Sequence, residues 1–264
     1  MCRRNAPEPS PGEGTPLKYG WAILAFLLIG VSPPNQADGL RVTINLPAYS
    51  LRLFDGDELV MERPVTIGAP EHPTPVGRWR VERLIWQPNW MPPPSVSAGR
   101  AEPVPPGPDN PMGAVKLPLT GAIYLHGTER RGRLGQPASH GCIRLANEDA
   151  RALAEHLQRR LLAQADRRRI QRRRQARPDQ PVRVRLPEAL PVRVRYQPLE
   201  MGQGRGVLHP DVYNRIADER SYLRRALARS LGIPAKQLSL TDGELLNRLN
   251  GDAEGPLRFD LEID

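Results

Sequence analysis

The sequence predicts a mainly β protein whose main domain is a β-sandwich or a barrel-like sheet. Residues 41–46 alternate apolar and polar side chains, as a half-buried strand does. Residues 51–61 predict a hairpin around an Asp-Gly turn, and short strands follow at 64–68 and 79–85, separated by a turn at 74–77. No helical pattern separates these strands, and the 30 prolines of the chain favour loops over long helices.

A long proline-rich loop interrupts the strands. Residues 88–111 contain nine prolines, which excludes both a helix and a central strand. Two interpretations remain open: a lid or wall over a site, or a surface excursion. An apolar run at 122–125 then predicts a strand that ends at His126.

One helix is predicted after this region. Leu153, Leu157 and Leu161 recur at helical spacing and form one apolar stripe. Asn147 is a suitable N-cap, and the helix is expected to run to about residue 175, before a proline.

The remainder of the chain predicts a mixed α/β C-terminal extension. The sequence Pro-Val-Arg-Val-Arg occurs at 181–185 and again at 191–195, and we expect both copies to be edge strands with outward Arg side chains. Helical pieces are predicted within 212–231 and a last short helix within 242–249.

Three regions follow from these patterns. Residues 1–37 are expected to be a signal peptide or a signal anchor, and residues 40–198 the main domain, with an Arg-rich insertion at about 158–190. Residues 199–264 are expected to form an accessory segment.

The N-terminal region predicts export. Arg3, Arg4 and Lys18 precede an apolar run at 21–29, which is shorter than the roughly 20 residues of a membrane span. Ala37 is a suitable last residue before cleavage, and an uncleaved leader that anchors the chain is the alternative.

Export makes the cysteine content informative. Cys2 lies in the leader, so Cys142 has no intramolecular partner in a compartment where disulfides form readily. Burial in the core is one interpretation, but the polar neighbours of Cys142 favour chemical use.

The positive charge belongs to one segment. The net charge is +9, and residues 151–195 contain fourteen Arg against four acidic residues. Nucleic acid is not an expected partner, because the chain is exported and no aromatic residue interleaves the arginines. A solvated helix face, or attraction to an anionic wall or membrane surface, is expected instead.

The stretch from His126 to Leu145 concentrates the reactive side chains. It contains a thiol at Cys142, imidazoles at His126 and His140, and a guanidinium at Arg144. This set suits attack by sulfur on a carbonyl, with a base to take the thiol proton and a cation to hold a carboxylate.

This stretch resembles the signature of the YkuD-type L,D-transpeptidases, enzymes that remodel bacterial peptidoglycan. The matching residues are His126-Gly127-Thr128 and 139–145, with further likeness at 74–77 and at the proline-rich 106–113. The likeness covers roughly residues 40–150 and, more loosely, residues 191–220.

The resemblance implies a role for each residue. Cys142 would attack the carbonyl at the third residue of a stem peptide, His126 would act as the base, and the Gly127 carbonyl would orient His126. His140 and the amides of Gly141 and Cys142 would stabilise the oxyanion. Substrate binding would involve Arg144, Ser139 and Thr128.

Less specific roles stay open for several of these residues. Arg144 is also suited to a surface ion pair, His140 to packing, and Ser139 to hydrogen bonding within its loop. A zinc site made by His126, His140 and Cys142 is an alternative that the spacing does not favour. No metal and no cofactor are expected.

Three functions are consistent with the sequence. The first is transfer of an acyl group from Cys142 to a second stem peptide or to a lipoprotein lysine, in the periplasm or cell envelope. The second is hydrolysis of the same bonds by a cysteine L,D-carboxypeptidase or amidase. The third is a non-catalytic module that binds the wall.

Overall fold

The mainly β prediction is confirmed by a computed structural model, which describes residues 39–92, 102–202, 205–232 and 256–260. The helices are α1 (Asn147–Leu161), α2 (Gln164–Ala176) and α3 (Glu219–Leu231), with a 3-10 turn at Arg131–Arg133. In chain order the strands are β1 (Leu40–Asn45), β2 (Ser50–Asp55), β3 (Glu58–Pro64), β4 (Ile67–Gly68), β5 (Gly77–Trp86), β6 (Val115–Thr120), β7 (Ile123–Thr128), β8 (Pro137–Ser139), β9 (Ile143–Ala146), β10 (Val182–Arg195), β11 (Leu199–Gly202), β12 (Arg205–Leu208) and β13 (Leu257–Asp260).

An eight-stranded sheet carries the main core. Its strand order is β3-β2-β1-β10-β5-β6-β7-β9. Alternate residues of these strands, such as Val42, Leu117 and Leu125, are buried on one face. The apolar stripe of α1 packs on the same face through Leu153 and Leu157, so both the strand and the helix periodicities direct their apolar side chains to one core.

The first strands follow the prediction, with two local differences. β2 and β3 form the predicted antiparallel hairpin around Gly56. Of the strand predicted at 64–68, only β4 is confirmed. Thr66, which precedes β4, instead forms an isolated bridge with Arg144 of β9 through two backbone hydrogen bonds of 2.9 Å each. The turn predicted at 74–77 lies earlier, where the His72 amide donates to the Ala69 carbonyl, and Gly77 already belongs to β5.

The prediction of one helix after Cys142 is wrong in number. α1 ends where Leu162 adopts an extended conformation, with ψ of 143°, and α2 begins two residues later. The change of direction brings Ile170 against the core and places the Arg174 guanidinium 3.5 Å over the Trp86 ring.

The two Pro-Val-Arg-Val-Arg copies do not form edge strands. They join in the single strand β10, which lies inside the sheet between β1 and β5. A bulge between Arg185 and Leu190 accommodates Pro187, which cannot donate a ladder hydrogen bond. Arg side chains do point outward as predicted, while the valines between them enter the core.

The C-terminal segment has its own small core. β11, β12 and β13 form a three-stranded sheet, and Leu199, Leu208, Leu223 and Leu227 pack together between that sheet and α3. Asp218 caps α3 by accepting a hydrogen bond from the Ser221 amide. Among helices in the described ranges, none has the length and hydropathy needed to cross a membrane. The leader at 1–37 and the helix predicted at 242–249 lie outside the described residues.

Candidate active site

Two neighbouring parallel strands bring the reactive side chains together. β7 pairs with β9 so that Leu125 lies opposite Ile143 and His126 opposite Arg144. Leu125 and Ile143 face the core, so His126, Arg144 and, by alternation, Cys142 face the other side. A strand spacing near 4.8 Å and a rise near 3.3 Å per residue give a Cα separation of roughly 8 Å between His126 and Cys142.

His126 is buried inside β7. The prediction that it ends its strand is wrong, because β7 continues through Thr128, which pairs with Ala146 of β9. Nδ1 of His126 lies 2.8 Å from the Gly127 carbonyl oxygen, so the Nδ1–H tautomer donates there and Nε2 carries a lone pair. Burial, helped by repulsion from Arg144 and Lys116, lowers the pKa of His126 to about 4. The imidazole is therefore neutral at neutral pH.

The Cys142 thiol is half-buried against the start of β7. Its Sγ donates to the Ala122 carbonyl oxygen at 3.6 Å. Burial raises the pKa of this thiol, although the Tyr124 amide and the side chains of Arg144 and Lys116 act in the opposite direction. The resting site therefore holds a neutral thiol and a neutral imidazole.

The loop before Cys142 is held by its own hydrogen bonds. Ser139 is buried, and its Oγ donates to the Cys142 carbonyl at 2.5 Å and accepts from the Gly141 amide at 3.1 Å. Gly141 has φ of +95°, and a Cβ there would lie 2.8 Å from Cδ1 of Ile123. Ser139 thus hydrogen-bonds within its loop, and the Gly141 amide is already engaged.

Thr74 supports this loop from a distant part of the chain. Its Oγ1 donates to the Gly141 carbonyl at 3.0 Å and accepts from the Gly68 amide at 2.8 Å. Tyr213 completes the arrangement, because its hydroxyl accepts from the Thr74 amide at 3.2 Å and donates to the Gly68 carbonyl at 2.7 Å. The sequence marked residues 74–77 by resemblance and gave Thr74 no role, and nothing local pointed to Tyr213.

His140 points to the surface. Its side chain is exposed, and its ring stacks on His72 with 4.9 Å between the centroids. The sequence did not predict this pair. Within the described ranges, no three His, Cys, Asp or Glu side chains are grouped so that they could hold a metal ion.

Thr128 and Asn147 shape the end of β7. Thr128 is buried, and its Oγ1 accepts from the Arg130 amide at 3.2 Å. Asn147 does not cap α1 as predicted, because its Oδ1 accepts from the Ala114 amide at 2.9 Å and the N-cap position is Ala146. A Cβ at Gly127 would lie 2.0 Å from that oxygen, so a side chain beside the catalytic candidate His126 would displace Asn147 from the Ala114 amide.

Two cations flank the His126 imidazole. Arg144 lies opposite it on β9 and Lys116 opposite it on β6, both in register. Neither forms a salt bridge with a carboxylate of the residues that the structure describes. Sequence reasoning missed Lys116, although the alternation of Val115-Lys-Leu places it on the outer face.

The proline-rich loop is anchored near these cations. In its described parts, Trp90 pairs with Val104, and the Asn110 Nδ2 donates to the carbonyls of Pro88, Val104 and Pro105. Lys116 Nζ donates to the Asn89 carbonyl at 3.2 Å. The loop thus contacts the site, and its role as a lid stays a prediction.

The sequence is similar to those of known L,D-transpeptidases. The profile of the YkuD L,D-transpeptidase catalytic domain matches residues 39–184. Over 167 residues the chain is 34% identical to "Probable L,D-transpeptidase YbiS" of Escherichia coli, covering 59% of this chain and 53% of that protein. It is 30% identical over 165 residues to "Probable L,D-transpeptidase ErfK/SrfK" of Salmonella typhimurium, covering 58% and 52%. The chain spans about half the length of these relatives.

Sequence identity to solved structures is lower than to these relatives. An L,D-transpeptidase from Mycobacterium smegmatis aligns with a TM-score of 0.38 at 15% identity, covering 59% of this chain and 58% of that one. An L,D-transpeptidase from Mycobacterium tuberculosis aligns with a TM-score of 0.38 at 18% identity, covering 60% and 57%.

Proposed function

Because the chain belongs to the YkuD family of L,D-transpeptidase catalytic domains, we propose that it is an L,D-transpeptidase that acts on peptidoglycan stem peptides through a Cys142 thioester. One observation carries the proposal. His126 and Cys142 share the outer face of two paired strands, and the Nδ1 contact with Gly127 leaves Nε2 of His126 able to accept a proton.

The first half-reaction forms the acyl-enzyme. The sulfur turns from the Ala122 carbonyl toward the substrate, and Nε2 of His126 takes the thiol proton as the C–S bond forms at the third residue of the stem. The peptide C–N bond then breaks, and His126 gives the proton to the departing amine of the terminal D-amino acid. A positioned base of this kind contributes about 10²–10⁴-fold to the rate.

The Cys142 backbone amide is the oxyanion donor in this proposal. The Gly141 amide can join only if it leaves Ser139 Oγ, to which it donates at 3.1 Å in the free enzyme. His140 would have to leave its stack on His72 to take part. Arg144 is proposed to bind a substrate carboxylate, while Ser139 and Thr128 support the substrate through the loops they hold.

The second half-reaction transfers the acyl group. An acceptor amine attacks the thioester carbonyl, its proton passes to His126, and the C–S bond breaks to restore the thiol. An amine on a second stem gives a 3-3 cross-link, and a lipoprotein lysine gives an anchored lipoprotein. Water as acceptor would make the protein an L,D-carboxypeptidase. These partners place the proposed activity in the periplasm or cell envelope, with a leader that is either cleaved or kept as an anchor.

The test is incubation of the full chain with purified muropeptides, with and without an amine acceptor, followed by mass spectrometry of the products. Cross-linked or acceptor-linked products from the wild type, and none from Cys142→Ala or Cys142→Ser, are expected. If only hydrolysis products form, the carboxypeptidase function replaces the proposed transpeptidase function. A Cys142→Ser variant that keeps activity would refute both.

An independent measurement uses the mass of the intact protein after exposure to a carbapenem. A covalent adduct at Cys142 is expected from an activated thiol. An unmodified protein that still binds peptidoglycan would support the non-catalytic wall-binding function instead.

A further inference from the structure

A row of residues crosses the outer face of the sheet in register. Arg183 of β10 lies opposite Ile85 of β5, Ile85 opposite Lys116 of β6, and Lys116 opposite His126 of β7. His126 in turn lies opposite Arg144 of β9. Directly opposed residues on neighbouring strands share one face of the sheet. The proposed catalytic base, His126, therefore lies between the cations Lys116 and Arg144.

Among the residues that the structure describes, Lys116 has no anionic partner, although it is half-buried. Its Nζ donates to the neutral Asn89 carbonyl at 3.2 Å and lies 4.7 Å from the centroid of the Tyr124 ring. None of the carboxylates in the described residues forms a salt bridge with it. Burial lowers the pKa of Lys116, the Cys142 sulfur opposes that change, and Arg183 reinforces it. The ammonium therefore lies within electrostatic reach of the sulfur.

Arg144 is in a similar position on the other side of His126. Its Nε is buried and has no hydrogen-bond partner within the described part of the chain. Withdrawing a charge from water is unfavourable unless an opposite charge or hydrogen bonds compensate. Lys116 and Arg144 are thus partly buried cations that lack a carboxylate partner among the described residues, and both lie near the Cys142 nucleophile. This arrangement indicates an anionic ligand that arrives with the substrate.

We propose that Lys116 is a specificity-determining residue that binds a carboxylate of the acyl-donor peptide beside Cys142, so that the site favours acidic donors. A carboxylate would replace the Asn89 carbonyl as the acceptor and give a stronger, charge-assisted hydrogen bond. Arg144 supplies the second cation, and Arg183 extends the positive face away from the sulfur. This inference rests on the proposed function for the identity of the donor, and its first test does not.

The first test compares two alkylating reagents on the full chain, with modification at Cys142 measured by peptide mapping. Iodoacetate is an anion and iodoacetamide is its neutral analogue. Dividing the iodoacetate rate by the iodoacetamide rate gives a ratio that does not depend on the thiolate fraction. The ratio for the folded protein should exceed that for the chain unfolded in urea. Lys116→Met should lower it roughly three- to ten-fold, as expected for loss of one nearby charge, and Lys116→Arg should retain most of it.

The matched control is Arg78→Met. Arg78 is exposed on the same outer face of β5, seven residues and about 23 Å along the strand from Ile85. This variant should leave the ratio unchanged. An unchanged ratio in Lys116→Met, or an equal fall in Arg78→Met, would overturn the proposal.

The second test uses acyl-donor peptides in two forms. One form keeps its side-chain carboxylates free, and the other has them amidated. Lys116→Met should raise KM for the free-carboxylate donor several-fold and leave KM for the amidated donor nearly unchanged. Equal changes for both donors would contradict a role in specificity. If neither donor reacts with the wild type while the alkylation ratio behaves as expected, the proposed function fails and the anion site stands.

Discussion

His126 and Cys142 show how burial sets the starting state of the site. Burial disfavours the charged form of each group, which lowers the pKa of the imidazole to about 4 and raises the pKa of the thiol. A preformed thiolate–imidazolium pair is therefore not the resting state. The base is half protonated near pH 4, mostly unprotonated at higher pH, and there ready to accept the proton during attack.

Alkylation of Cys142 by iodoacetamide as a function of pH tests this state. The rate should rise in a single step whose midpoint lies above that of an unperturbed thiol, about 8.5, because burial raises the pKa of Cys142. His126→Gln should hardly change this profile while abolishing turnover with peptide. A rate plateau between pH 5 and 7 that disappears in His126→Gln would reveal an ion pair and contradict the prediction.

Thr74 is the residue most directly tied to the geometry of the catalytic loop. Thr74→Val removes the hydroxyl that joins the Gly68 amide to the Gly141 carbonyl and leaves both buried groups unpaired. We expect a loss of about 1–3 kcal/mol in the free energy of unfolding, together with slower acylation of Cys142 by a carbapenem. Thr74→Ser keeps the hydroxyl and should restore most of both. Full acylation rates in Thr74→Val, measured below its unfolding temperature, would contradict the role.

Some site residues are close together in the sequence, and others reach the site only through the fold. His126, Cys142 and their loop are close in sequence, and the apolar run before His126 indicated its strand, so their proximity was predictable. Lys116 and Thr74 reach the site only through strand pairing and loop packing. Sequence periodicity gives the face of a strand but not its neighbours, which is why these residues were missed.

The strands and helices show the same difference between contacts that are local in sequence and contacts that are distant. The β2–β3 hairpin joins residues a few positions apart, and its Asp-Gly turn encodes the pairing locally. β10 pairs in parallel with β1 across about 150 residues of sequence, as Val42 with Val192, and no local signal carries that contact. The break between α1 and α2 was also not predictable, because no glycine or proline marks Leu162 and Ala163, where the chain leaves the helical conformation.

Asn147 joins three elements at one point. Its Oδ1 accepts from the Ala114 amide before β6, its Nδ2 donates to Glu129 after β7, and its backbone starts α1. Asn147→Ala should lower the free energy of unfolding in urea by about 1–3 kcal/mol, because the Ala114 amide stays unpaired. The better helix propensity of alanine, worth about 0.5 kcal/mol, would offset little of this.

Arg151→Ala is the matched control for that variant. Arg151 is exposed on the same helix, so its replacement should change stability by no more than about 0.5 kcal/mol. Equal stabilities of the two variants would show that the Asn147 bridge contributes nothing beyond an ordinary surface position.

Across the whole molecule, the segment after β10 is fastened to the large sheet by charge and hydroxyl contacts. Glu200 of β11 accepts from Arg52 of β2 at 3.0 Å and from Arg195 of β10 at 2.8 Å, and His209 lies 3.4 Å away. Burial alone would raise the pKa of Glu200, but these three partners lower it to about 2. The carboxylate contributes stability above its unfolded pKa of about 4.5, and that stability is lost as the pH falls toward 2.

The same segment reaches the catalytic loop through Tyr213, which bonds both Gly68 and Thr74. Tyr213→Phe should therefore cost about 1 kcal/mol in unfolding free energy and slow carbapenem acylation of Cys142 several-fold. Tyr222→Phe is the matched control, because the Tyr222 hydroxyl accepts from the Leu199 amide at 3.1 Å, inside the segment and away from the catalytic loop. It should lose similar stability and keep the acylation rate. If both variants slow acylation equally, the segment acts on the site through overall stability, and the link through Tyr213 has no separate role.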